Sequence, residues 1–152
     1  MINKIHKFEK AVVTLLNFDG WELKHTGSGF EYYDAEGLTP KGNECIIEMK
    51  FRKKYYETKM LEVSKYDNLI KTGKVAIYFV SDPKATYFFW LNDLKNLEVK
   101  DMYCPATTVW DNRKIKKPCY LIPENEAALI YKAEETKKGV WDDYFKTRGW
   151  MN

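Results

Sequence analysis

The hydrophobic positions along the chain mark out its elements. Ile5, Phe8, Val12, Leu15 and Leu16 recur at helical spacing and predict an amphipathic helix over 3–17, ended by "DGW". "WELKHT" and "FEYYD" flank "GSG" and predict a hairpin whose second strand ends at Asp34. A polar loop, "AEGLTPKGNE", leads into "CIIEMKF" at 45–51, which reads as a strand. "TKMLEVSKYDNLIKTG" carries Met60, Val63, Tyr66, Leu69 and Ile70 on one stripe, predicting a second helix capped by Thr58 and closed by Gly73. "VAIYFV" and "TYFFWL", rich in β-branched and aromatic residues, are joined by "SDPKA" as another hairpin. Asn92 caps a short helical turn, and a loosely structured segment follows. "CYLIP" reads as a last strand and "PENEAALIYKAEET" as a helix opening on proline. The aromatic tail "VWDDYFKTRGW" is expected to pack on a surface.

A helix between strands favours a mixed sheet flanked by helices, an α/β (α+β) sandwich with the 45–51 strand central. The 152 residues fit one domain, with a core over about 3–91 and an extension over 92–152. The charged fraction of 31% is mixed in sign, which argues against disorder. A net charge of +3 permits a polyanionic partner without requiring one. Cys45, Cys104 and Cys119 are odd in number, lack a CxxC pair and have no ligand spacing with His6 or His25. They read as reduced thiols of a cytoplasmic protein. No apolar run is long enough to span a bilayer, and "MINKIHKFEK" lacks the apolar segment of a signal peptide.

The 45–51 strand carries two charges in a segment that otherwise reads as buried. Alternation points Cys45, Ile47, Met49 and Phe51 into a core and puts Ile46, Glu48 and Lys50 on the opposite face. The plain reading is a solvated or salt-bridged strand face. A second reading brings in Asp34. If the 35–43 connection is tight, Asp34 and Glu48 converge and repel, which raises the pKa of one of them unless a cation intervenes. Magnesium or manganese would satisfy such an oxygen pair. Lys50 would then supply positive charge to a phosphoryl oxygen or orient an attacking water.

Asp34, thirteen intervening residues, then Glu48-Met49-Lys50 resembles the signature of the PD-(D/E)-x-K nuclease superfamily, with Tyr33 in the place of the optional proline. The element order over about 3–91 is similar too, particularly to small phage-encoded and junction-resolving nucleases. The resemblance implies a restriction-endonuclease-like core. It implies Asp34 and Glu48 as ligands of Mg2+ or Mn2+, the Met49 carbonyl as a backbone ligand, and Lys50 as the catalytic lysine. Glu9 matches an acidic residue contributed by the first helix; its plain reading is a boundary glutamate with its tip in water. Glu62 and Tyr66 stand where relatives carry a glutamine and a tyrosine four apart, with glutamate replacing glutamine. Lys65 is a further candidate to aim a cation at the cleft, against a plain reading as a solvated lysine, with Tyr66 as core.

Arg52 falls on the same strand face as Glu48 and Lys50, and Lys53, Lys54, Tyr55 and Tyr56 follow. This run fits a phosphate-contacting edge with stacking surface. Arg113, Lys114, Lys116 and Lys117 form a second cluster, and Lys41 lies in the loop "GLTPKGN". Such runs also occur as solvated faces. His25 reads as structural. Trp90, Trp110, Trp141 and Trp150 read as packing or a subunit contact.

The sequence therefore points to a metal-dependent nuclease hydrolysing phosphodiester bonds of branched or duplex DNA. A homodimer is expected because two nicks need two sites, in the cytoplasm, the host's if the protein is phage-encoded. Two alternatives stand beside it. One is a catalytically inactive nucleic-acid-binding or phage counter-defence protein on the same fold. The other is an unrelated α/β interaction module with surface salt bridges.

Overall fold

The computed structural model describes residues 2–27, 29, 31–105 and 113–132. It opens with helix α1 (Ile2–Phe18), whose Val12, Val13 and Leu16 are buried. The helix stops at Gly20, where φ is 92° and the Asp19 and Trp21 N–H groups turn back to the Leu16 carbonyl. Glycine takes that left-handed conformation without a Cβ penalty. Asn17 ties the helix end to strand β1 (Glu22–His25), accepting from Leu23 N–H at 2.8 Å and donating to the Leu23 carbonyl at 3.0 Å.

The partner of β1 is β2 (Ala35–Leu38), not "FEYYD". The register His25↔Ala35 makes residues 26–34 the connection and Asp34 its last residue. Tyr32, expected on a strand face, is exposed, and Phe30 lies outside the described residues. Gly37 accounts for the shift. Its Cα sits against β1 so closely that a Cβ would overlap the Glu22 carbonyl. Only a segment with glycine at that point can pair there.

The chain continues through β3 (Glu44–Phe51), β4 (Thr58–Glu62), α2 (Val63–Ile70), β5 (Val75–Ser81), β6 (Ala85–Trp90), β7 (Glu98–Pro105), β8 (Lys114–Pro123) and β9 (Leu129–Lys132). Six strands form a mixed sheet in the order β1-β2-β3-β5-β6-β9, with β3 parallel to β5 and its other pairs antiparallel. The central position expected for 45–51 is thus observed. α1 covers one face, where Val12 and Leu16 pack with Ile47, Met49, Phe79 and Phe88. On the other face Ile46, Tyr78, Val80 and Phe89 pack with Leu61, Leu69 and Ile122 from β4, α2 and β8. No helix among the described residues is long and apolar enough to cross a membrane.

A second sheet, in the order β4-β8-β7, is the main departure from the sequence reading. The predicted helix over 58–73 is a strand followed by a two-turn helix, so Thr58 pairs with Pro123 instead of capping. Lys59 decides this: its amine is buried against Asp82 at 2.7 Å, a contact that an extended β4 delivers. The predicted helix from 123 is a single 3-10 turn, Glu124–Glu126, and then β9. β9 pairs along β6, so the edge of the sheet outweighs local helix propensity. Residues 133–136 of that prediction and the aromatic tail lie outside the described residues, as does Trp110. The loosely structured segment contains β7, which is set by its pairing with β8.

Candidate active site

β3 runs further than β2. β2 begins at Ala35 opposite Ile47, so residues 48–51 pair with β5 on one edge and meet the 26–34 connection on the other. Asp34 sits at this step. Its Oδ2 accepts the Met49 N–H at 2.8 Å, its own N–H donates to the Ile47 carbonyl at 2.8 Å, and its carbonyl accepts from Thr26 and Gly27. A strand residue presents N–H and C=O to the same edge, so the Met49 carbonyl also faces the step. Burial raises the Asp34 pKa, while the Met49 N–H bond opposes the rise.

The alternation read from the sequence holds. Cys45, Ile47 and Met49 join the α1 side of the core, Ile46 joins the other, and Glu48 and Lys50 follow Ile46. Glu48 is 8% exposed. Burial and the neighbouring Asp34 carboxylate push its pKa up to about 7. Lys65, from α2, reaches Glu48 Oε1 at 3.5 Å with its own side chain nearly half exposed, a loose pairing. Burial, then Arg52 and Lys65, lower the pKa of Lys50, with Glu48 and Glu62 opposing. Glu48, Lys50, Arg52, Lys65 and Lys114 line one cleft of about 250 Å³ between the two sheets. The sequence alone did not foresee that wall of β7 and β8.

Glu9 is brought to the same step from α1. It is buried, not a boundary residue with its tip in water, and its Oε1 lies 2.7 Å from His25 Nε2. Burial and then Asp34 push the Glu9 pKa up to about 7, while burial and Lys10 lower that of His25. A Cβ on Gly27 would stand 2.5 Å from Glu9 Oε1, 2.9 Å from His25 Nε2 and 3.1 Å from Asp34 Oδ1. Polar atoms from three elements thus converge on a point kept open by glycine. His25 reads from the sequence as structural and Gly27 only as part of a turn; the signal for both is the glycine-bracketed turn at 27–29 ahead of Asp34.

Among the described residues no three His, Cys, Asp or Glu side chains form a ready metal cage. The donor chemistry nevertheless fits a hard divalent ion. Glu9, Asp34 and Glu48 are carboxylates whose charge is disfavoured by burial and, for Glu9 and Glu48, by Asp34. Hard oxygen ligands of this kind suit magnesium or manganese.

The other sequence candidates divide. Lys53 and Lys54 are exposed on the segment leaving β3, and Arg52 and Lys54 line a second cavity of about 300 Å³ beside the first, with Lys114 shared. Lys116 lies over the Tyr103 ring at 5.5 Å, and Arg113 is exposed at the start of β8. Lys117 is 3.4 Å from Glu62, which tethers β8 to the start of α2. Tyr66 packs edge-on to Tyr120 with ring centroids 4.9 Å apart, so it belongs to the core. Lys41 lies in the turn before Glu44, roughly 20 Å along β3 from Lys50 at ~3.3 Å per residue. It is therefore outside the cleft.

No protein-family model and no curated protein matches the sequence. The fold does match solved structures. One is Hjc, a Holliday junction resolvase from the archaeal hyperthermophile Archaeoglobus fulgidus, at a TM-score of 0.55 and 20% identity, over 85% of this chain and 91% of that one. The chain therefore has the restriction-endonuclease-like fold shared with that resolvase, a central mixed sheet flanked by helices.

Proposed function

We propose that this protein is a divalent-metal-dependent DNA nuclease of the PD-(D/E)-x-K type, acting on branched or duplex DNA. The observation that carries the reading is the step beside β3. There Asp34 accepts the Met49 N–H between Glu48 and Lys50, on the spacing of that signature, and Glu48 and Lys50 line a cleft with Arg52, Lys65 and Lys114. The resemblance of the fold to a Holliday junction resolvase supports DNA as the substrate and favours a branched form. Activity as a homodimer in the cytoplasm belongs to the same proposal.

Asp34, Glu48 and the Met49 carbonyl would hold Mg2+ or Mn2+, with Glu9 behind them. The ion, when bound, supplies Lewis-acid activation of water and of the phosphoryl oxygen. The chain's own groups do the rest. The Met49 N–H fixes Asp34 through Oδ2 and leaves Oδ1 toward the step. As the ammonium, Lys50 would donate to the phosphoryl oxygen on which charge develops; as the neutral amine it would accept a proton from the attacking water. Its lowered pKa eases proton exchange with that water. Lys65 neutralises Glu48 while the site is empty of phosphate and is loosely enough held to turn to a phosphate oxygen. Arg52, Lys53, Lys54 and Lys114 line the path of the backbone, with Arg113 and Lys116 at its outer end. A non-catalytic binder would need the cations but not the buried carboxylates, so the intact acid–lysine set favours catalysis.

The test is a cleavage assay on four-way, flap, linear duplex and single-stranded DNA in Mg2+ and in Mn2+. Cleavage of at least one form, lost in EDTA and in Asp34→Asn, is expected. No cleavage of any form together with full DNA binding would replace this reading with the inactive binder.

A further inference from the structure

The cavity beside the catalytic cleft is not explained by phosphodiester hydrolysis. It lies between the end of β3 and the wall made by β4, β8 and β7, and measures about 300 Å³. It shares Arg52, Met60, Tyr78, Tyr103 and Lys114 with the cleft that holds Glu48 and Lys50. The two therefore adjoin along these residues, so the second opening lies beside a phosphate held at Lys50.

The rim of the cavity is aromatic. Tyr56, on the segment leaving β3, and Tyr103, on β7, both line it and are 56% and 65% exposed. Both rings are large exposed stacking surface at the cavity, with the Lys116 amine 5.5 Å from the Tyr103 centroid. Met60, Met102 and Leu121 give the interior an apolar lining. The one carboxylate in its lining among the described residues, Asp82, is already paired. Lys59 bonds Asp82 Oδ2 at 2.7 Å, and Asp82 Oδ1 accepts the Lys84 and Ala85 N–H groups at 2.8 and 3.0 Å. Asp82 is thus satisfied and does not repel an anion. Arg52, Lys54 and Lys114 leave the mouth positively charged.

A flat, apolar-faced group with polar edges, attached to an anionic chain, fits all three features. We propose that this cavity seats one unpaired nucleobase of the strand whose phosphate occupies the Glu48–Lys50 cleft, stacked against Tyr103 and Tyr56. The inference rests on the nuclease reading and sharpens it. The preferred substrate has an unpaired nucleotide next to the scissile phosphate, as at a branch, flap or gap. A base in a closed duplex is stacked on its neighbours and has to be extruded first.

The test compares two probes with equal charge. Twelve thymidylates in a single strand and the same backbone carrying twelve abasic sites are titrated against the full-length protein in calcium, with fluorescence anisotropy as readout. Stacking of one base on aromatic side chains corresponds to roughly tenfold or more in affinity. The thymidylate strand is therefore expected to bind about tenfold tighter than the abasic strand. In Tyr56→Ala/Tyr103→Ala that ratio should fall to near one, with the abasic affinity unchanged. Both tyrosines are exposed, so the fold should tolerate the change, and Tyr103→Leu gives an independent variant at the same rim. Equal affinity of the wild type for the two strands overturns the base seat and leaves the nuclease reading standing. So does a preference that survives the tyrosine substitutions. Failure to bind either strand or any branched or duplex DNA overturns both.

Discussion

Two acid–lysine groups line adjoining cavities, and they differ in how completely they are satisfied. Lys59 and Asp82 are almost fully buried and pair at 2.7 Å. Glu124 stands 3.8 Å away, Tyr55 and Tyr87 enclose the amine, and two backbone N–H groups occupy the other Asp82 oxygen. Glu48, Lys50 and Asp34 are made of the same residue types but keep spare capacity. Glu48 has Lys65 only at 3.5 Å, and both its pKa and that of Lys50 are displaced toward neutrality. A satisfied buried pair holds elements together; a buried group left short of partners at a cleft has interactions still to make. On the proposed function, this difference separates the structural charges from the chemical ones, although both involve a lysine on a strand.

The largest effect should come from cutting the satisfied pair. Lys59→Met leaves Asp82 buried without its cation and should cost about 3–5 kcal/mol of stability, read from urea unfolding. Lys50→Met should cost little stability and should instead lower turnover by about 10²–10³-fold. Its DNA affinity in calcium should stay close to wild type. If Lys50→Met unfolds and Lys59→Met merely slows cleavage, the two roles have been assigned the wrong way round.

Next in size is Gly27→Ala. Its methyl would enter the point where Glu9, His25 and Asp34 converge and should weaken manganese binding by about tenfold or more. Calorimetry reads this directly, and far-UV circular dichroism checks that the fold persists.

The spare carboxylates also set a pH dependence. Glu9 and Glu48 bind protons more tightly in the folded chain than in the unfolded one, with folded pKa values near 7 against 4.5. Between those values the folded state holds more protons, so their contribution to stability falls as pH rises from about 4.5 to about 7. In EDTA, the loss of urea stability between pH 5 and pH 8 should therefore be smaller in Glu48→Gln than in the wild type. Magnesium at pH 8 should restore part of the wild-type loss. A wild type and a Glu48→Gln variant with parallel pH profiles would mean that Glu48 is as well satisfied as Asp82.

The smallest effect concerns the rim. Lys53→Ala/Lys54→Ala should flatten the log–log salt dependence of duplex binding by up to roughly 2 units. Lys117→Ala, whose amine is committed to Glu62, should leave that slope unchanged.

The sequence made the chemical group more legible than the structural one, for identifiable reasons. Period-two alternation places Glu48 and Lys50 from local sequence alone, and the spacing to Asp34 survives an error in strand assignment. "FEYYD" is not the strand it resembles, yet Asp34 still lands beside Met49, because the 26–34 connection returns it there. Lys59 and Asp82 are 23 residues apart and meet only through the packing of β4 on the β5–β6 turn. No local pattern encodes that contact, and for the same reason the local periodicity predicts helix where β4 forms. The edge strand β9 and the β7–β8 wall likewise follow from tertiary pairing. With the wall unseen, Lys114 was legible only as part of a basic run, not as a residue facing Glu48.

Calorimetric titration of manganese into the metal-free protein at pH 8 bears most directly on the claim that the unsatisfied carboxylates form a metal site. Saturable binding is expected, lost in Asp34→Asn and in Glu48→Gln and retained in Lys50→Met. Undiminished binding in both carboxylate variants, with the fold intact, would contradict that claim.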